Sequence, residues 1–267
     1  MSKYTERTTM ALHTMIREMY RKNIELPRII KCSTQLLLTG ISPNSIPHEI
    51  LLRLLDSQYS DGGFVSNVDT IWSIKFLSYY SEGKNARKKA IDWLNHRRTG
   101  YGFGRSDRDI GRIPVTGIAF YLNKDLCYGS KGLEWLEKLW CTEKNSLTYK
   151  AAYTLMAFSA NNYKPSSSSM VLDIIGWLQS QQEKSGGFAP WKGHPVQENI
   201  YCTAVSCLGL MSYPQYCDRE ILQNAYNYMV TTQLKNGVWR YHEIEDGAAW
   251  GLRAMTEFEK MKGENNK

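Results

Sequence analysis

The chain has 267 residues, 42% hydrophobic and 22% charged, ordinary values for a globular protein of one large domain or two small ones. Its net charge of +7 is spread over scattered basic residues in short groups such as Arg87-Lys88-Lys89, the pattern of solvated helix faces, so no nucleic-acid partner is expected. No apolar run is long enough to cross a membrane, the polar start predicts no signal peptide, and six cysteines without a Cys-x-x-Cys pair read as reduced thiols in the cytoplasm.

In chain order, helical spacing first appears over 9–21 and 26–38, the second with Pro27 at its start and Gly40 at its stop. Five helix–turn–helix units follow. Their first helices are expected at 46–57, 88–97, 131–142, 170–182 and 219–233, each with one apolar face, as in Ile50, Leu51, Leu54 and Leu55. Their second helices are expected at 69–80, 112–122, 148–160, 199–211 and 246–258. These are apolar around most of their circumference and therefore enclosed. Asp69-Thr70, Thr148, Asn199 and Asp246 stand where a side-chain oxygen caps a helix start.

The turns inside these units repeat. Gln58-Tyr-Ser-Asp-Gly62-Gly-Phe64, Gln182-Glu-Lys-Ser-Gly186-Gly-Phe188 and Gln233-Leu-Lys-Asn-Gly237-Val-Trp239 share a glutamine, a glycine and an aromatic at fixed spacing. A degenerate copy runs from Arg97 to Phe103, and Asn145-Ser-Leu147 stands where a fifth would be. Trp93, Trp135 and Trp177, spaced 42 and 42 residues apart, confirm the register. Without any strand alternation, the chain reads as all-α. Twelve helices in six hairpins close into a ring, outer helices solvated and inner helices around a cavity, as one domain over 1–267.

The heptapeptide resembles the repeat of squalene and oxidosqualene cyclases, whose helical pairs also appear in class II diterpene cyclases and protein prenyltransferase β subunits. That terpenoid cyclase and prenyltransferase superfamily has an (α/α)6 toroid fold, and the resemblance covers roughly 46–258. It implies that the glutamines, glycines and aromatics are structural.

Inner-helix starts carry positive partial charge and unpaired N–H groups at the cavity mouth. There, Glu243-Ile-Glu245-Asp246-Gly-Ala248 resembles the Asp-x-Asp-Asp-Thr-Ala acid motif of class II cyclases, with glutamates for the first two aspartates and glycine for threonine. The resemblance implies Glu245 as proton donor, Asp246 and Glu243 tuning it, and His242 orienting it. Clustered carboxylates push one another's proton affinities apart, which suits an acid. The alternative is that Asp246 caps the helix while both glutamates complement its dipole.

Tyr201-Cys202-Thr203-Ala204 resembles the oxidosqualene cyclase Asp-Cys-Thr-Ala stretch with tyrosine in the acid's place, which argues against protonation at that turn. The same stretch is similar to the Tyr-His-Thr region near the prenyltransferase zinc histidine. Cys202, Cys207, His194 and His242 have no standard ligand spacing, however, and neither metal nor cofactor is expected. Arg105, Arg108 and Arg112 would grip a diphosphate, unless Asp107 and Asp109 pair with them on a surface loop. The loop carrying Trp191 would cover the cavity. Trp191, Trp72, Tyr201 and Trp250 either line it, stabilising carbocations by cation–π attraction, or pack as core.

The leading expectation is an isoprenoid-handling enzyme, a class II terpene cyclase-like isomerase acting on a prenyl diphosphate or triterpene-like molecule. The rivals are a non-catalytic toroid that binds an isoprenoid or partner peptide, and a prenyltransferase β-subunit-like protein. Because relatives of the cyclase type pair this toroid with another, loops, a partner subunit or a second copy would have to close the cavity.

Overall fold

A computed structural model describes residues 2–143 and 146–264. Among these residues there are twelve α-helices and no strand. They are α1 (Lys3–Arg21), α2 (Leu26–Leu38), α3 (His48–Asp56), α4 (Asn67–Leu77), α5 (Lys84–His96) and α6 (Ile113–Leu122). The second half holds α7 (Lys131–Glu143), α8 (Thr148–Ala160), α9 (Met170–Ser180), α10 (Ile200–Met211), α11 (Arg219–Thr232) and α12 (Ile244–Glu264).

The even-numbered helices form the inner ring: α2, α4, α6, α8, α10 and α12 pack in that order, and α12 returns to α2. The odd-numbered helices lie outside, with α7, α9 and α11 each set between two consecutive inner helices. Helix α1 sits between α12 and α2 and closes the circuit. Burial follows the expected contrast. Helix α3 buries Ile50, Leu51 and Leu54 on one side, whereas α10 buries every residue from Cys202 to Leu210.

The repeated turns explain how neighbouring units hold together. Gln58 Nε2 donates to Gly62 O in its own turn and to Ala86 O on α5, both at 2.8 Å. Gln182 Nε2 does the same with Gly186 O and Ile221 O on α11, again at 2.8 Å. Gly62 has φ +98°, and a Cβ there would stand 2.8 Å from Lys89 O on α5, so only glycine allows the approach. The aromatic amides of Phe64, Phe103 and Phe188 donate to Thr70, Thr116 and Thr203 Oγ1 at 3.1, 2.9 and 2.9 Å. Each threonine thereby ties a turn to its inner helix.

Several boundaries and caps differ from the sequence reading. Helix α1 starts at Lys3 rather than 9, because Ser2 accepts from Thr5 N and bonds Glu259 on α12. The cap of α4 is Ser66 rather than Asp69-Thr70: its Oγ accepts from Asp69 N at 3.2 Å and donates to Asp69 Oδ2 at 2.7 Å. Asn199 does cap α10, accepting from Cys202 N at 3.0 Å. Asp246 is not a cap, since α12 begins two residues earlier at Ile244. Of Asn145-Ser-Leu147, where a fifth copy would stand, Asn145 lies outside the described residues.

Candidate functional site

Ring closure sets the first turns of α2 beside the first turn of α12. Arg28 and Lys31 fall three residues apart on one face of α2, and Glu245 and Asp246 face them from α12. Arg28 Nε donates to Glu245 Oε1 at 2.7 Å, and Arg28 Nη2 bonds the same oxygen. Lys31 Nζ lies 2.9 Å from Asp246 Oδ1, an ion pair without hydrogen-bond alignment. Both carboxylates are buried, at 6% and 5% exposure, while the Arg28 side chain is 41% exposed.

The hydrogen bond that Arg28 donates to Glu245 is the main reason the Arg28 pKa is raised, against a smaller effect of burial. For Lys31, burial is the largest single effect and acts downward, but Asp246, Cys32 and Glu243 together outweigh it and the pKa rises. Arg28, Lys31, Asp69, Trp72 and Glu243 share the lining of a cavity of about 550 Å³ at the mouth of the ring.

Behind this cavity the ring centre is aromatic. Trp250 on α12 meets Trp72 edge-on at 6.0 Å and 81°, Tyr201 at 6.0 Å and 88°, and Tyr153 at 6.0 Å and 55°. Tyr201 stacks on Tyr241 at 6.0 Å and 14°, and the Tyr153 and Tyr201 hydroxyls are 2.8 Å apart. Burial, reinforced by the neighbouring Tyr153 hydroxyl, pushes the Tyr201 phenol well up, so it faces the centre as a neutral hydroxyl. Lys31 Nζ lies 5.9 Å from the Trp72 ring centroid, joining the ion pairs to the aromatic wall.

The structure thus brings Glu243, Glu245, Asp246, Trp72, Tyr201 and Trp250 to one end of the ring. The remaining candidates lie elsewhere. His242 is exposed, its ring 4.1 Å from that of Tyr241, and it makes no hydrogen bond to a carboxylate among the described residues. Trp191 is 43% exposed and packs edge-on against His194 at 4.0 Å. Arg105, Arg108 and Arg112 are exposed, and Arg112 Nε is held by Asp109 Oδ2 at 2.9 Å. No group of three or more His, Cys, Asp or Glu side chains among the described residues is arranged to hold a metal. No described helix is long and apolar enough to cross a membrane.

Sequence reasoning missed Arg28, Lys31, Tyr153 and Tyr241. The available signal was the Arg28-x-x-Lys31 spacing on a helix that ring closure must set next to the last one.

No protein-family model matches the chain. Over 70 residues it is 33% identical to lanosterol synthase of Pneumocystis carinii, a match spanning 26% of this chain and 9% of that protein. Among solved structures, the type II terpene cyclase MstE from Scytonema, in complex with its substrate geranylgeranyl dihydroxybenzoate, superimposes with a TM-score of 0.72. The alignment covers 97% of this chain and 98% of that one at 13% identity. Apo MstE gives 0.72 at 12% identity. A possible member of the GH105 family from Salmonella enterica serovar Paratyphi A reaches 0.59 over 89% of this chain and 83% of that one, at 12% identity. The expected terpenoid cyclase toroid is therefore the observed fold. The GH105 likeness shows that the fold alone does not name a reaction.

Proposed function

We propose that this chain is a type II terpene cyclase-like enzyme that protonates a prenyl chain and guides its cyclisation. The observation that carries the reading is the buried Glu245–Asp246 pair at the start of α12, held by Arg28 and Lys31, which line the mouth cavity. The likeness to MstE supports it: that type II terpene cyclase is matched over 98% of its chain by this ring.

In the proposed reaction Glu245 gives its proton to a substrate alkene, and the resulting carbocation is attacked by the next double bond to form a ring carbon–carbon bond. Trp72, Trp250, Tyr153 and Tyr201, clustered around Trp250, supply the aromatic rings whose faces would attract the cation. Loss of a proton from the final cation completes the isomerisation. Arg28 shields the acid, because its half-exposed guanidinium covers Glu245 Oε1 and must move off before a substrate reaches that oxygen.

Purified protein should be incubated with geranylgeranyl dihydroxybenzoate, geranylgeranyl diphosphate, squalene and squalene epoxide, and products read by mass spectrometry. Turnover that disappears in Glu245→Gln supports the assignment. No turnover of any substrate, or turnover unchanged by Glu245→Gln, overturns it.

One observation favours a second reading, an isoprenoid-binding ring without turnover: Trp72 and Trp250 are only 3% and 1% exposed, so their own rings occupy the centre. Saturable binding of the same substrates with no product would select it.

A further inference from the structure

A second cavity, larger than the one at the mouth, lies between α1 and the turn that leads into α12. It is a groove of about 810 Å³ with an apolar wall that includes Met10, Met15, Leu234, Val238 and Ile244. Met10 is 71% exposed and Ile244 45%. Arg7 and Arg240 line it too; both are exposed, and neither side chain makes a hydrogen bond or ion pair among the described residues.

The repeat shows what fills this space in the other units. A Cβ on the first glycine of each complete heptapeptide would meet one residue of an outer helix: Lys89 for Gly62, Asn224 for Gly186 and Arg7 for Gly237. Four residues past the first two stand Trp93 and Tyr228. Each ring lies against the second glycine of its turn, 2.2 Å from a Cβ on Gly63 and 2.9 Å from one on Gly187. Trp135 takes the same place at Gly102, at 2.2 Å. Four residues past Arg7, however, the chain has Ala11, and Val238 replaces the second glycine. Val238 is buried and fills part of the vacated space, while the rest stays open as the groove. Three turns are covered by an aromatic ring of their own chain, and the turn at ring closure is not.

An exposed apolar groove flanked by two free cations suits an apolar anchor with negative charge beside it. We infer that this groove docks a partner protein through a tryptophan or tyrosine flanked by carboxylates. The ring takes the place that Trp93 and Tyr228 hold in their own units, and the carboxylates pair with Arg7 and Arg240. Met10 and Met15 add adaptable sulfur contacts to an aromatic guest. The volume exceeds what one ring occupies, so residues beside the anchor enter as well, which favours a protein segment over a single aromatic molecule. Ile244 directly precedes Glu245, so a docked partner abuts the acid turn. The inference does not rest on the cyclase reading, and its test needs no turnover.

The full chain, isotope-labelled at its methionine methyl groups, should be titrated with short peptides and followed by NMR. A peptide with a central tryptophan between glutamates should shift the Met10 and Met15 signals saturably. It should bind about tenfold or more tightly than the same peptide with alanine for tryptophan, or with lysines for the glutamates. Ala11→Trp combined with Val238→Gly rebuilds the arrangement of the other units and should weaken peptide binding about tenfold or more. Unmoved signals from the remaining methionines show that this variant is folded. Arg7→Glu with Arg240→Glu, both at the surface, should turn the preference toward the lysine peptide. No saturable shift, equal binding of the peptides, or binding unchanged in the ring-filled variant overturns the inference. Binding of phosphatidylglycerol vesicles without binding of the glutamate peptide also overturns it and assigns the groove to lipid. Met10 and Met15 shifts that grow with protein concentration alone overturn it in favour of a second copy of this chain.

Discussion

Gln233, at the end of the last outer helix, donates through Nε2 to Tyr4 O at 3.2 Å and to Thr8 Oγ1 at 2.8 Å on the first. The third heptapeptide therefore grips α1 as the first grips α5 and the second grips α11. The same logic that joins neighbours in sequence joins the two ends of the chain, and Ser2 adds a bond to Glu259 Oε1 at 2.6 Å. Gln233→Ala should lower stability by about 1–2 kcal/mol, the usual value of one or two lost side-chain hydrogen bonds. It should speed amide exchange selectively in α1, and Gln58→Ala should not. Denaturant titration with hydrogen-exchange mass spectrometry reads both, and equal exchange in α1 for the two variants would sink this account of closure.

The second glycine of the first heptapeptide has a different task from Gly62. A Cβ on Gly63 would stand 2.2 Å from the Trp93 ring, and one on Gly102 would stand 2.2 Å from the ring of Trp135. Each tryptophan lies flat on the preceding turn, and Arg97 covers Trp93 from outside at 3.9 Å. Gly63→Ala is expected to cost about 1–3 kcal/mol by overpacking and to shift tryptophan emission to longer wavelength as Trp93 is displaced. Unchanged emission together with unchanged stability would contradict the packing.

Alkaline pH should weaken the fold through its buried thiols. Burial raises the Cys202 pKa from 9.0 to about 11, a hydrogen bond from Asn199 acting in the opposite direction. The folded-state value lies above the unfolded one, so this contribution is fully present below pH 9 and is lost as pH rises toward 11. In that window Cys202→Ala should flatten the fall in stability by about 1.4 kcal/mol per pH unit relative to the parent. Guanidinium titrations at pH 8, 9 and about 10 check it, and parallel curves for parent and variant would refute it.

How much of this was legible in the sequence depends on the distance over which each relationship acts. The helices were, because three- and four-residue spacing records which face is covered, and the heptapeptides marked the turns between them. The cap of α4 was not, because Ser66 lies outside the periodic stretch and its bond to Asp69 is a matter of local backbone geometry. Glu245 and Asp246 stood out as clustered acids, but their counter-charges did not: Arg28 and Glu245 are 217 residues apart and meet only because the ring closes. Trp250 was visible as an aromatic on an inner helix, yet its place among Trp72, Tyr153 and Tyr201 depends on three other helices.

The Lys31–Asp246 pair is the more enclosed of the two, with side-chain exposures of 28% and 8%. Lys31→Met leaves a buried carboxylate without its cation and should destabilise by about 3–4 kcal/mol, the lower part of the range for breaking a buried pair. Lys31→Met combined with Asp246→Leu should recover most of that loss, because it removes the orphaned charge. Thermal and denaturant unfolding of the three variants measure the coupling, and a double variant no more stable than the single one would show that the charge was not the cause.

Arg28 gives the sharpest test of the acid, because its guanidinium is half exposed and can leave without opening the core. Arg28→Met takes the cation away and leaves the glutamate in place, so turnover of a cyclisable substrate should survive, whereas Glu245→Gln should reduce kcat by about a hundredfold or more, the usual share of general acid catalysis. Steady-state kinetics of the two variants read the difference. Turnover that survives Glu245→Gln would mean that the proton does not come from the carboxylate that Arg28 holds, and would shift attention to Asp246 and its Lys31 partner.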